Sequence, residues 1–105
     1  MVERVHHIAF VVGDLDAAAA QFEETLGLEC YTRETMSGDY YLEVAVYELD
    51  GLLLELITPT REEGWIYDHW REHGDGFFHM AFEVPDIDAA IEQFAGSVTK
   101  SSRVQ

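Results

Sequence analysis

Residues 7–22, HIAFVVGDLDAAAAQF, return at residues 79–94 as HMAFEVPDIDAAIEQF, 72 positions later, with ten of sixteen residues identical. Such a repeat constrains architecture before anything else, because segments with one hydrophobic pattern bury one kind of face. A chain of 105 residues has room for one domain with one modest core, so the two copies must share it. Each copy reads as strand, tight turn, helix and stop. In the first, RVHHIAFVV is β-branched and aromatic and ends at Gly13. Asp14 is an N-cap, Leu15, Ala18, Ala19, Phe22 and Leu26 recur at helical spacing, and Gly27 suits a left-handed stop. In the second, the strand FFHMAFEV leads to Pro85, the N-cap Asp86, the apolar positions Ile87, Ala90, Ile91 and Phe94, and Gly96.

Three strands are expected between the copies. LECYTRET is the first, SGD turns the chain, YYLEVAVYEL is the second, and Asp50-Gly51 is a two-residue hairpin signal leading into LLLELI, closed by Thr58 and Pro59. Residues 62–73 read as a helix that ends at Gly74, with Ile66 and Trp70 one turn apart. The order β-α-β-β-β, connecting helix, β-α predicts an α+β fold in one structural domain. Its parts are a first module over 1–60, a connecting helix and turn over 61–76, and a partial second module over 77–105.

Strand alternation then sorts the side chains. Ile8, Phe10 and Val12 are expected under the helices, with His7, Ala9 and Val11 opposite; Met80, Phe82 and Val84 are likewise expected to oppose His79, Ala81 and Glu83. Leu52, Leu54 and Leu56 oppose Leu53, Glu55 and Ile57, and bulky Leu42, Val44 and Val46 leave Glu43, Ala45 and Tyr47 for the other face. One face thus carries His7, His79 and the isolated carboxylate Glu55. Two imidazoles and a carboxylate can hold a divalent metal, and a ligand role explains a carboxylate among apolar neighbours. The same histidines also fit as hydrogen-bonded core or surface residues, and Glu55 fits a wet edge.

The charge narrows the partners. Twenty-one acidic residues face six basic ones, a net charge of −15 that opposes nucleic acid and anionic membrane surfaces. Abundant carboxylates with a single lysine, Lys100, fit either an ordinary acidic protein or one adapted to high salt, which screens the repulsion. No apolar run is long enough to span a membrane, no signal peptide is visible in MVERVHHIAF, and the one cysteine, Cys30, fits a reducing, cytoplasmic setting. Other polar groups read as structural. His69 and His73 are four apart on a helix and can share a metal, but fit a surface pair; Asp14 and Asp86 cap helices, while Asp16 and Asp88 are solvated. Trp65, Tyr67 and Trp70 suit core or interface packing, or the wall of a ligand groove.

The repeat, the β-α-β-β-β order and the motifs HIAFVVGDLDAAAAQF…LGL, GLLLELITP and HMAFEVPDIDAA together resemble the vicinal oxygen chelate superfamily of glyoxalases, extradiol dioxygenases, fosfomycin and bleomycin resistance proteins and methylmalonyl-CoA epimerases. WIYDHWREHGDGFFHMAFEV resembles the epimerase-like branch, and the resemblance spans residues 4 to about 95. It implies a glyoxalase-like sheet curled around one divalent ion per site, with Co, Ni, Mn, Zn, Fe and Mg all open. His7, Glu55 and His79 match the ligand positions, and Glu43 resembles the carboxylate that epimerases use to move a proton. His6 is expected to point away. A fourth ligand, one repeat beyond Glu55, falls past residue 105, so a second chain is expected to complete the sheet in a homodimer or higher oligomer. Two functions follow from the resemblance. One is a metal-dependent glyoxalase- or epimerase-like enzyme acting on a small carbonyl or thioester through an enolate-like intermediate. The other is a non-catalytic small-molecule binding or drug-resistance protein. No nucleic acid or membrane partner is expected.

Overall fold

The computed structural model describes residues 2–36, 41–94 and 103–104. Strand β1 (Arg4–Val11) runs into a turn at Gly13, where close packing demands glycine: a Cβ there would lie 2.6 Å from the Trp70 ring. Asp14 follows in an extended conformation and its carboxylate accepts from Ala17 N at 3.0 Å, so helix α1 (Leu15–Leu26) begins where the sequence places a cap. Gly27, at φ 67°, stops it. Strands β2 (Cys30–Met36), β3 (Leu42–Leu49) and β4 (Leu52–Pro59) follow. Asp50 and Gly51 both have positive φ, 51° and 84°, as a two-residue turn matched to strand twist requires. Helix α2 (Trp65–His73), strand β5 (Gly76–Glu83), helix α3 (Ile87–Phe94) and the short β6 (Arg103–Val104) complete the order. Helix α2 starts later than residue 62 because Gly64 sits at φ 98°, outside the helical region. Asp86 caps α3 through Ala89 N at 3.1 Å, as Asp14 caps α1. The turn at 37–39, the Phe94 side chain and Gly96 lie outside the described residues.

The fold is α+β: a complete β-α-β-β-β module followed by the strand and helix of a second. The sheet order is β2-β3-β4-β1-β5-β6. Strands β1 and β5, the two copies of the repeat, run antiparallel at its centre, with β4 parallel to β1 on one side. The sheet does not stop at β5, as the sequence suggested. Strand β6 pairs parallel with Ala81 and Phe82, in the place beside β5 that β4 holds beside β1.

Both faces of the sheet are covered in part. On one, Val12, Leu15, Ala19, Ala45, Tyr47 and Leu56 form a cluster under α1, joined by Phe10, Phe22 and Leu54. On the other, Val11, Leu42, Val44, Ile57 and Ile66 pack together with Val46, Trp70 and Phe78, beneath α2. Burying one such side chain stabilises the fold by about 1.5–3 kcal/mol. The expected faces hold for β1 and β4 but are exchanged in β3. Ala45 and Tyr47 lie opposite Leu56 and Leu54, while Val46 and Val44 lie opposite Glu55 and Ile57. Opposed residues of an antiparallel pair share a face, so register with β4 decides the matter, not the bulk of each row. Tyr47 is the larger payload, and it is fully buried under α1.

Candidate functional site

The two copies of the repeat meet at their histidines. His7 on β1 is 7% exposed, and its Nε2 lies 3.0 Å from Nε2 of His79 on β5, with the rings 5.2 Å apart and edge-on. The antiparallel pairing of Ala9 with His79 and His7 with Ala81 places both imidazoles on the α2 face of the sheet. Glu55 on β4 lies opposite Ala9 and shares that face. Its Oε2 is 3.9 Å from Nδ1 of His7. Burial pushes the Glu55 carboxyl above its ordinary range, and the nearby His6 pulls it partly back.

Two irregularities set the details. Between Val5 and His7 the β1–β5 register shifts, so His6 is an extra residue that does not alternate to the far face. Its Nδ1 lies 2.8 Å from Nδ1 of His7. A second shift, between Ala9 and Phe10, lets Phe78 and His79 line the same cleft although they are neighbours in the chain. The HH doublet at 6–7 was the visible signal for His6; the bulge that brings the rings together is a property of strand pairing.

His7, Glu55 and His79 lie in the floor of an open cleft of about 340 Å³. Its walls are mainly apolar, from Leu42, Val44 and Val46 on β3, Ile57 on β4, and Trp65 and Ile66 on α2. Glu34 enters from β2, where it pairs with Val44 and so belongs to the cleft face. Glu43 is not among the residues that line it. It lies on the α1 face, where Oε1 accepts from Arg33 at 3.1 Å, and Arg33 also reaches Asp16 at 2.9 Å. The exchanged faces of β3 are the cause. The cleft wall carries Glu34, which sequence reasoning passed over, because the face of β2 is set only by pairing with β3. No Lys or Arg is present among the described residues lining the cleft.

The donor chemistry fits a divalent ion. Two nitrogens each about 2.1 Å from one ion and at right angles stand about 3 Å apart, the spacing between the His7 and His79 Nε2 atoms. Glu55 adds a desolvated oxygen donor beside them. Among the described residues no three such donors already surround one point. The Glu55 carboxylate faces Nδ1 of His7, across the ring from the atom facing His79, and its entry needs a side-chain rotation. The other polar groups have local work. The His69 and His73 rings lie 4.6 Å apart at a tilt of 45°, and His69 packs edge-on against Phe78. Asp75 accepts from Trp70 Nε1 at 2.8 Å and from Gly13 N at 2.9 Å, tying α2 to the end of β1. Trp65 packs against Phe78 in the cleft wall, Trp70 joins the core beneath α2 and Tyr67 lies against Trp70, so Trp65, Tyr67 and Trp70 all have packing contacts within the chain.

A β-α-β-β-β module whose first strand pairs with the first strand of a second module, with one histidine from each in a shared cleft, defines the paired-module class of α+β proteins. Residues 6–97 match the Glyoxalase/Bleomycin resistance protein/Dioxygenase superfamily, and the chain belongs to that superfamily. It is 35% identical over 91 residues to an ethylmalonyl-CoA/methylmalonyl-CoA epimerase of Cereibacter sphaeroides, covering 86% of this chain and 67% of that protein. Among solved structures, it resembles Streptomyces coelicolor methylmalonyl-CoA epimerase in complex with 2-nitronate-propionyl-CoA, with 27% identity and a TM-score of 0.79 over 91% of this chain and 72% of that one. The fold is also that of methylmalonyl-CoA epimerase from Mycobacterium tuberculosis, with 23% identity and a TM-score of 0.78 over 94% of this chain and 69% of the other.

Proposed function

We propose that the protein is a metal-dependent, epimerase-like enzyme acting on a small carbonyl or thioester substrate. The observation that carries this reading is the meeting of His7 and His79 at 3.0 Å beside desolvated Glu55, in a cleft open to a small molecule. His7, Glu55 and His79 would hold the divalent ion. When bound, it would act as a Lewis acid on the substrate carbonyl and acidify the adjacent C–H. The walls around that carbon would be mainly apolar. Glu34, which lines the same cleft, would take its proton, leaving an enolate-like species. Glu43, the choice by resemblance, faces Arg33 under α1. The 35% identical epimerase supports a thioester substrate. Among the described residues the cleft has no Lys or Arg side chain for phosphates, so a charged carrier arm would lie outside it. We infer further that the working unit is a homodimer in a reducing, cytoplasmic setting. Exposed Trp65 at the cleft, exposed Phe77 on the α1 face and the free Cys30 thiol support this, and sedimentation across a salt series tests the dimer.

Calorimetric titration with Co, Ni, Mn, Zn, Fe or Mg ions tests the centre: wild type binds one ion per site and His79→Ala does not. Solvent deuterium exchange at the carbon next to a thioester carbonyl, followed by proton NMR, tests the chemistry. Glu34→Gln should slow exchange by about 100- to 10,000-fold, while Glu43→Gln changes it little. A second reading, a binding or resistance protein without chemistry, is favoured by the apolar cleft walls and the turned-away Glu43. Ligand binding with no exchange in wild type would establish it.

A further inference from the structure

We propose that His6 is a positioning residue for the metal centre: its Nδ1, 2.8 Å from Nδ1 of His7, accepts the His7 proton and leaves the Nε2 lone pair of His7 facing His79. The proposal rests on the metal-centre reading above. Its logic is one of proton counting. A neutral imidazole carries one N–H and one lone pair, and the bond made by one ring nitrogen decides the role of the other. His7 is engaged on both sides, by His6 at Nδ1 and by His79 at Nε2. Two arrangements are available. If His6 donates to Nδ1, then Nε2 carries the proton and His7 cannot ligate. If His6 accepts, the proton sits on Nδ1 and Nε2 is a ligand atom.

In the metal-free chain Glu55 adds a bias toward the second. Its Oε2 lies 3.9 Å from the same Nδ1, so a proton on that nitrogen sits beside a carboxylate oxygen, whereas a bare lone pair would face it. His6 and Glu55 thus act on one ring atom from different strands. A neighbouring acceptor of this kind usually tunes a metal-bound histidine. Here it comes from the preceding residue, which an unbroken strand would turn to the far face. The bulge between Val5 and His7 makes the contact possible.

The test uses the intact chain, with Zn²⁺ alone as probe. His6→Ala should weaken Zn²⁺ binding about 10- to 100-fold by calorimetry. His6→Asn, whose Oδ1 sits near the position of Nδ1 and only accepts, should restore affinity to within a few fold. Long-range proton–nitrogen NMR of metal-free protein reads the His7 tautomer directly, with Nδ1–H expected in wild type and His6→Asn and a shift toward Nε2–H in His6→Ala. Unchanged tautomer in His6→Ala, or His6→Asn no better than His6→Ala, overturns the proposal. Absence of metal binding in wild type overturns the metal centre instead, and the metal-free NMR measurement still decides the role of His6.

Discussion

The two copies of the repeat share a sequence pattern and occupy different environments. In the first, Leu15 is 4% exposed and Ala19 is buried, because α1 lies on the sheet over Tyr47 and Leu56. In the second, the matching Ile87 is 38% exposed and Ile91 54%, while among the described side chains of α3 only Ala90 is fully buried. Helix α3 has the same cap and the same apolar spacing, yet among the described residues its sheet partner is the two-residue β6. Local pattern makes a helix in both places. Among the described residues, only the first has a floor of strands wide enough to cover its apolar face. The chemistry is shared more evenly, since each copy sends one histidine to the same cleft.

That contrast can be broken by paired substitutions. Leu15→Ala should lose about 2–5 kcal/mol of stability in urea unfolding, and Ile87→Ala clearly less, because an exposed side chain leaves no cavity. Equal losses would mean that α3 is covered in solution by a partner, which would also sharpen the case for a dimer. Gly13→Ala should follow, at about 1–3 kcal/mol, because its methyl meets Trp70. Its counterpart Pro85→Ala, measured in the same way, should change little.

The caps come next. Asp14→Ala should cost about 1 kcal/mol, and Asp86→Ala the same if α3 unfolds with the rest of the domain. Hydrogen exchange separates the cases: an Asp86→Ala variant with unchanged global stability and faster exchange in α3 would show that the helix opens on its own. Smallest at neutral pH is Tyr47→Phe, about 1 kcal/mol or less, since its hydroxyl contacts with Ala19 O and Glu23 are long, at 3.5 and 3.3 Å. Its signature is in alkali. Burial, aided by the charge of Glu23, pushes the Tyr47 phenol up to about 12 from 10.0. The unfolded chain releases that proton first, so this contribution is complete below pH 10 and disappears as pH rises toward about 12. A wild-type and Tyr47→Phe pair should therefore differ in slope across that interval, and parallel curves would mean the phenol is not shielded.

Much of this was legible in the sequence. The repeat, the caps at Asp14 and Asp86, the Asp50-Gly51 turn and the stops at Gly27 and Gly74 are local signals, each tied to the backbone within a few residues, and the structure places them as read. The parity of β1 and β4 put His7 and Glu55 on one face for the same reason. Tertiary pairing decided the rest. Whether Glu43 or Val44 faces the cleft depends on register against β4, which no property of β3 alone determines. Glu34 joins the wall only because β2 pairs with β3 in that register. His6 turns beside His7 because β1 carries an extra residue against β5. Alternation is a rule for an unbroken strand. A bulge or a one-residue change of register reverses it, and the energy that selects between registers is held in contacts such as Tyr47 beneath α1, whose partners lie far along the chain.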